Sequence, residues 1–317
     1  MNFEAMRQRV RELREISRWP QALKLIDRTV HRESISVWEY PVAACQGVGG
    51  GAGDALPAAA AVFCSVISIH LVDDILDDDP RGDYRRMGSG PVANLALAFQ
   101  AAGHLLLDEA AVKPEVRCAL QASFAAMSLA TCYGQGLDSQ EVTTEEEYWR
   151  VVGNKTPPLF GEALRMGALL GGGTPETGEL LARVGRALGL FIQVNDDMAD
   201  AMAVPACADW QRRHNNLPIL FALTADHAER EEFVRLSAQS ADPAALAAAQ
   251  KILLRSGAIS FCALRLIEFS REIRELLSRV SLKDPAPVAR IVDLHMKPLH
   301  RLLEKVGVEE PAALVVG

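Results

Sequence analysis

The feature that most constrains this chain is an apolar run that turns acidic without changing face. From Ala58 to Val72 the sequence reads as a buried helix, and Asp73-Asp74-Ile75-Leu76-Asp77-Asp78-Asp79 follows at once. On a 3.6-residue period Val62, Val66, Ile69, Asp73 and Asp77 form one stripe. Pro80 cannot continue a helix, so the acids are expected in its C-terminal turns. There the helix dipole disfavours each anion by about 0.3–1 kcal/mol. Desolvating an unpaired carboxylate costs several kcal/mol more. The segment therefore calls for a cation. A merely solvated acidic end would set Asp73 and Asp77 opposite the apolar stripe, not on it. A calcium loop of the EF-hand kind fails on spacing: counted from Asp77, the fifth ligand position is Arg81 and the twelfth is Gly88, where a bidentate glutamate is needed.

The pattern occurs again. Leu188-Gly189-Leu190-Phe191-Ile192-Gln193-Val194-Asn195 runs into Asp196-Asp197-Met198-Ala199-Asp200, and Leu181, Leu188, Ile192, Asp196 and Asp200 share a helical face. Two such helices facing each other would present their acids across one cavity. Oxygen-only ligands with open positions suit Mg²⁺, which takes a few carboxylates, waters and substrate phosphates. The fitting chemistry is ionisation of a diphosphate ester, with metal on the leaving group and an apolar cavity around the carbocation.

On these residues the chain resembles the trans-isoprenyl diphosphate synthases, whose two aspartate-rich motifs look like Asp73–Asp79 and Gln193–Asp200. Gly134-Gln135-Gly136-Leu137-Asp138 is similar to the family's Gly-Gln-x-Leu-Asp element, and Lys155-Thr156-Pro157-Pro158-Leu159-Phe160 to its Lys-Thr motif. Asp209 followed by Leu217-Pro218 matches the segment after the second motif, so the likeness covers roughly residues 55–225 in order. The resemblance implies an all-α, isoprenoid synthase-type bundle with a central active-site cavity. It further implies three Mg²⁺ per active site, a homodimer and a prenyl diphosphate substrate. Asp73, Asp74, Asp77, Asp196, Asp197 and Asp200 would be metal ligands. Lys155, Thr156 and Gln193 would be catalytic, with Lys155 gripping the allylic diphosphate. Arg81, Arg85, Arg86, Gln135, Arg213 and His214 would bind substrate; His214 stands where the family has a second lysine. In the family, bulky residues four or five positions before the first motif close the pocket floor. Ile69 and Ser68 stand there here, which implies a deep pocket for about three to four isoprene units or longer.

The largest departure lies upstream. Where the family carries Gly-Lys-Arg-x-Arg-Pro to hold isopentenyl diphosphate, this chain reads Ser36-Val37-Trp38-Glu39-Tyr40-Pro41. Three charge-assisted bonds, at about 1.5–3 kcal/mol each, are missing. Either Arg28, His31, Arg32 or the Arg81–Arg86 loop replaces them, or the acceptor is not isopentenyl diphosphate and the site is rebuilt around Trp38 and Tyr40. A class I terpene cyclase is the first alternative to a prenyltransferase, but its Asn-Asp-x-x-Ser-x-x-x-Glu motif would need Ser and Glu where Ala199 and Ala203 stand. A non-catalytic subunit of a heteromeric synthase is the second, and both intact acid clusters weigh against it.

The remaining text supports one undivided domain, residues 1–317. Hydrophobic content of 49% with only 6% aromatics, dominated by alanine and leucine, favours packed helices. A net charge of −8 argues against nucleic-acid partners. No apolar run is read as a membrane span, Met1 to Trp19 is too charged for a signal peptide, and the six cysteines show no paired spacing. A cytoplasmic protein with reduced core thiols is expected. Thr144 and Glu147 form a capping box ahead of Lys155, Thr174-Pro175 starts the helix bearing the second motif, and Ala244–Leu277 and Val288–Val306 read as helices.

Overall fold

Alanine and leucine with few β-branched runs leave the backbone one economical way to satisfy its hydrogen bonds, and every regular element among the described residues is a helix. The computed structural model describes residues 3–29, 36–210 and 215–305. Arg213 and His214, expected to bind substrate, lie outside the described residues, as do His31 and Arg32. In chain order the helices are α1 Phe3–Arg11, α2 Pro20–Arg28, α3 Tyr40–Gly47, α4 Leu56–Leu76, α5 Tyr84–Met87, α6 Ser89–Asp108, α7 Pro114–Asp138, α8 Glu145–Lys155, α9 Pro157–Leu170, α10 Pro175–Ala201, α11 Leu217–Thr224, α12 Arg230–Ser237, α13 Pro243–Arg255, α14 Ala258–Arg279 and α15 Ala286–Lys305.

Contacts divide the chain into two compact units. The first comprises Met1–Cys132, Pro158–Arg186 and Leu276–Leu294; the second comprises Tyr133–Pro157, Ala187–Glu275 and His295–Gly317.

The first unit is built on α4. Its residues from Ala58 to Ser68 are buried without interruption, the pattern of a helix that is apolar all round. Each buried Val, Ile, Leu or Phe on it contributes about 1.5–3 kcal/mol of burial. Its principal partner is α6. The Ser68 hydroxyl donates to the Ala96 carbonyl of α6 at 2.9 Å and is 4% exposed. The Ser68 side chain therefore meets a neighbouring helix. The reading that no apolar run reaches membrane-spanning length is corrected. By length and composition α4 and α6 are both long and apolar enough to cross a membrane. In α4 that apolarity serves the core, with 61% of its most apolar stretch buried inside the protein.

The second unit has its own core, formed by Trp210, Phe233, Leu246, Ile252 and neighbours from α11, α12 and α13. The stretch read as one helix from Ala244 to Leu277 is broken at Ser256-Gly257, where Gly257 takes φ +86°. Glycine adopts that left-handed geometry without a Cβ clash, so α13 ends there and α14 begins. Other local signals hold as expected. Glu147 N donates to Thr144 Oγ1 at 3.2 Å and Thr144 N donates back to the Glu147 carboxylate at 3.2 Å. Thr174 Oγ1 accepts from Thr177 N at 3.2 Å at the start of α10.

Candidate active site

Both aspartate-rich segments fall at the C-terminal ends of long helices. Their local chemistry differs.

In the first unit, α4 ends earlier than Pro80 requires. Asp77 caps it and Asp78 turns left-handed at φ 54°. Asp79 N reaches back to the Asp74 carbonyl at 3.0 Å and Asp78 N to Ile75 O at 3.4 Å, which is the hydrogen-bond pattern of a Schellman cap. Glycine usually takes the left-handed position; aspartate tolerates it at some cost. The turn splits the acids. Asp73 and Asp74 stay on the helix and Asp77 at its cap, all partly buried. Asp78 and Asp79 leave the helix and are matched by the following loop. Asp79 accepts from Arg81 Nε at 3.1 Å and Nη2 at 2.8 Å. Asp78 accepts from Tyr84 Oη at 2.8 Å and Arg85 Nη2 at 2.7 Å. Arg86 Nη2 lies 3.1 Å from Asp83. Asp83, only 5% exposed, is also held by Arg28 from α2, whose Nη1 is 2.9 Å from Oδ1. Asp74 is pushed above the usual carboxylate range by burial first, then by Asp79 and Asp73. Burial and the acids beside it together disfavour the ionised form.

In the second unit Asp197 of α10 sits in a buried hydrogen-bonded network, while Asp196 and Asp200 beside it are exposed. Asp197 is 2% exposed, and both its oxygens are occupied. Oδ2 accepts from Tyr148 Oη of α8 at 2.7 Å and from Leu217 N at 2.9 Å, while Oδ1 accepts from Gln193 Nε2 at 2.9 Å. Gln193 turns its carbonyl the other way and accepts from Thr156 Oγ1 at 3.0 Å. Asn216 Nδ2 donates to the Asp197 carbonyl at 2.9 Å and to Asp209 at 3.1 Å. Lys155 Nζ lies 2.5 Å from Asp138 Oδ2, and Asn215 Nδ2 holds the other Asp138 oxygen at 2.9 Å. Burial drives Asp197 up to about 7 and, with Asp200 beside it, Asp196 up to about 6. Asp200 is raised by burial as well.

Bare backbone fixes the end of α8. A Cβ on Gly134 would fall 2.3 Å from Asn154 C and Lys155 N, and one on Gly189 would fall 2.7 Å from Pro157 Cα. No side chain fits at either contact.

The structure thus brings together Lys155, Thr156, Gln193, Asp138 and the second acid cluster, and it gathers Arg81, Arg85 and Arg86 around the first. Gln135 is 4% exposed on α7. Trp38 and Tyr40 correct the idea of a rebuilt aromatic acceptor site. Tyr40 is fully buried with its ring edge-on to Phe160 at 5.1 Å, and Trp38, 6% exposed, stacks on Phe3 at 5.7 Å and meets Phe63 at 5.3 Å. Both are core residues. Sequence reasoning missed Tyr148, Asn215, Asn216 and Asp83. The first was signalled only by being a polar ring in an apolar stripe of α8. Asn216 was legible as an N-cap before Leu217-Pro218, and its side chain does accept from Ile219 N at 3.4 Å.

A family model described as polyprenyl synthetase matches residues 53–253. The chain belongs to the polyprenyl synthetase family. It is therefore a prenyltransferase. The chain is 29% identical over 278 residues, 80% of its length, to a short chain isoprenyl diphosphate synthase of Methanothermobacter thermautotrophicus, covering 83% of that protein. It is 32% identical over 225 residues to a geranylgeranyl diphosphate synthase of Mycobacterium tuberculosis, covering 65% of this chain and 62% of that one. Among solved structures, a geranylgeranyl pyrophosphate synthase superposes with a TM-score of 0.81 at 18% identity, over 93% of this chain and 95% of that one. A geranylgeranyl pyrophosphate synthase from Corynebacterium glutamicum complexed with calcium and isoprenyl diphosphate superposes at 0.77 and 19% identity, over 94% and 96%. These structures share the all-α fold.

Polyprenyl synthetases are metal-dependent, and the donor set here suits a hard cation. All the candidate ligands are carboxylates, and Asp74, Asp196 and Asp200 are held in surroundings that disfavour their charge. Among the described residues no three His, Cys, Asp or Glu side chains converge closely enough to hold a metal by themselves. Mg²⁺ fits that arrangement, because it takes one or two carboxylates and completes its shell with water and substrate phosphate.

Proposed function

We propose that this chain transfers a prenyl group from an allylic prenyl diphosphate to isopentenyl diphosphate in a Mg²⁺-dependent reaction. Asp73, Asp74 and Asp77 would hold metal in the first unit, and Asp196 and Asp200 would hold metal in the second. When bound, it neutralises the leaving diphosphate. Asp197, with both oxygens spent on neutral donors, orients its neighbours and is assigned a positioning role.

The observation that carries the reading is the relay Asp197–Gln193–Thr156. Asp197 takes the Gln193 amide N–H, so the Gln193 carbonyl must face Thr156 and accept its hydroxyl proton. The Thr156 oxygen is left with lone pairs to offer a developing carbocation. Next to it Lys155, held by Asp138, offers charge-assisted bonds to the departing diphosphate. The relay thus presents electron density to the carbon while the lysine stabilises the leaving group, which is differential binding of the transition state.

A second reading has one observation in its favour. Ser36–Pro41 carries no cation, and a nucleophile without a diphosphate would not need one. Incubation with Mg²⁺ and geranyl, farnesyl or geranylgeranyl diphosphate, with and without isopentenyl diphosphate, separates the two. Formation of the next longer diphosphate is expected. Diphosphate release without elongation favours the second reading, a hydrocarbon product a cyclase, and no release overturns both.

A homodimer belongs to the same proposal. In the first unit α6 and α7 are tied by Ser128 to Gln100 at 2.9 Å, and they expose Leu97 at 70%, Leu105 at 52% and Leu129 at 74%. Such an apolar face on paired helices suits a second copy. Light scattering should give twice the chain mass, and a monomer at micromolar concentration would overturn it.

A further inference from the structure

Helix α13 buries one polar side chain among apolar ones, and that side chain is spent on another helix. Ala245, Leu246, Ala249, Ile252 and Leu253 of α13 are buried, and Gln250 lies among them at 8% exposure. Gln250 Nε2 donates to the Ala201 carbonyl at 3.2 Å and to the Ala203 carbonyl at 3.0 Å, 49 and 47 residues away in sequence. Ala201 is the last residue of α10 and is fully buried in the same core as Leu246 and Ala249. Asp200 stands immediately before it. The Asp200 carbonyl accepts from Ala203 N at 3.2 Å and the Ala199 carbonyl from Met202 N at 3.2 Å, so the final turn is tightened. From the Asp200 carbonyl through Ala203 to Gln250, hydrogen bonds tie the end of α10 to the core of the second unit.

Structural need alone does not explain the glutamine. The last carbonyls of a helix are ordinarily closed by a left-handed glycine or by water. Met202 and Val204 are 38% and 74% exposed, so this turn lies at the surface, where hydration would serve. Burying an amide on an apolar helix face costs free energy that a hydrated turn would not. What the amide supplies is position. The side chains of Asp196 and Asp200 are exposed, so their placement depends on the helix beneath them. Mg²⁺ demands near-ideal octahedral geometry, and a frayed final turn would let Asp200 drift from it. The amide N–H groups also offset the negative end of the helix dipole beside these acids.

We propose that Gln250 is a positioning residue for the acids of α10: it anchors the final turn so that Asp200 stays in register with Asp196 for metal binding. Its amide acts through the main chain of Ala201 and Ala203. The role rests on the reading above that Asp196 and Asp200 hold Mg²⁺, and it adds what fixes the ligand nearest the helix end.

Three variants of the full chain test it. Gln250→Met keeps the side-chain length and removes the donor, and Gln250→Asn keeps an amide on a shorter stem. Leu246→Ala, one turn away in the same core, opens a cavity and leaves the donor in place. A thermal melt fixes a temperature at which each is folded, and Gln250→Asn carries the test where Gln250→Met melts too low. Hydrogen exchange without metal, read on the peptide spanning 196–206, should be about tenfold faster in Gln250→Met and intermediate in Gln250→Asn. The Mg²⁺ concentration for half-maximal prenyl transfer should rise about tenfold in Gln250→Met. KM for isopentenyl diphosphate at saturating Mg²⁺ should stay within about twofold. Leu246→Ala should lower the melting temperature and leave both the exchange and the Mg²⁺ requirement in place. Wild-type exchange or a wild-type Mg²⁺ requirement in Gln250→Met overturns the proposal, as does an equal Mg²⁺ shift in Leu246→Ala. Asp200→Ala, measured in parallel, separates this from the metal reading: an unchanged Mg²⁺ requirement there overturns the metal assignment, and the anchor's role with it, whatever the exchange shows.

Discussion

The ends of α4 and α10 carry nearly the same letters and solve opposite electrostatic problems. At the end of α4 the acids outnumber what the helix can carry, and a left-handed Asp78 turns two of them outward to arginines in the next loop. At the end of α10 no cation among the described residues answers Asp197. It is buried with a tyrosine, an amide side chain and a backbone N–H as its partners. One end is balanced by charge in a solvated loop, the other by neutral donors in a dry interior. Surface ion pairs are worth little singly, whereas an orphaned buried donor costs about 1–3 kcal/mol. The α10 end should therefore be the stiffer of the two and the α4 end the more tolerant.

The largest effect should fall on chemistry, where the two ends are alike. Asp73→Ala and Asp196→Ala should each raise the activation barrier by about 3–4 kcal/mol, by analogy with removing one electrostatic contact to a transition state. Steady-state turnover at saturating Mg²⁺ checks this, and near-wild-type rates in either would remove that residue from the metal site. Stability should separate them. Asp197→Ala strands Tyr148 Oη and Leu217 N and should cost about 2–6 kcal/mol in denaturant unfolding. Asp197→Asn keeps an acceptor for both and should cost less.

The third expectation concerns pH. Asp196, raised to about 6, keeps a proton in the metal-free fold that the unfolded chain releases near pH 4. With more protons bound in the folded state, metal-free stability should fall as pH rises from about 4 to about 6. Mg²⁺ should reverse the trend at the upper end by occupying ionised Asp196. Melting curves in EDTA and in Mg²⁺ across that range test the sign. Apparent Mg²⁺ affinity should fall about tenfold for each pH unit below 6. The smallest effect is left for the α4 end. Asp79→Ala removes a pair with Arg81, which is 89% exposed, and should leave the melting temperature unmoved within error.

What was legible in the sequence follows the range of the physics involved. Helical periodicity, the Thr144–Glu147 capping box and the apolar-to-acid stripes depend on residues within a few positions of each other, and they read directly. The family motifs located Lys155, Thr156 and Gln193. Partners fixed by long-range packing did not read. Nothing near Asp83 announces Arg28, 55 residues away, and nothing near Asp197 announces Tyr148, 49 residues away. Trp38 and Tyr40 misled because an aromatic ring in place of a lost cation suggests a substitute function. In the fold they fill space against Phe3, Phe63 and Phe160. That Asp78 leaves the helix was not legible either, since sequence carries no sign that the chain turns left-handed there.

The close contacts at Gly134 and Gly189 bear on how such an enzyme can diverge. Side-chain packing is renegotiated whenever neighbours change, and each renegotiation shifts a helix by fractions of an ångström. The side chains of Lys155 and Thr156 are held by Asp138 and Gln193, but the main chain that carries them is referenced to backbone. The backbone at Asn154–Lys155 rests on the bare Cα of Gly134, and Pro157 rests on that of Gly189. Two main-chain abutments act as mechanical stops, and the lining of the surrounding helices can be replaced without moving them. A chain that shares 29% of its residues with a relative can in this way keep a reacting pair in register while the walls around it are rewritten for a different substrate.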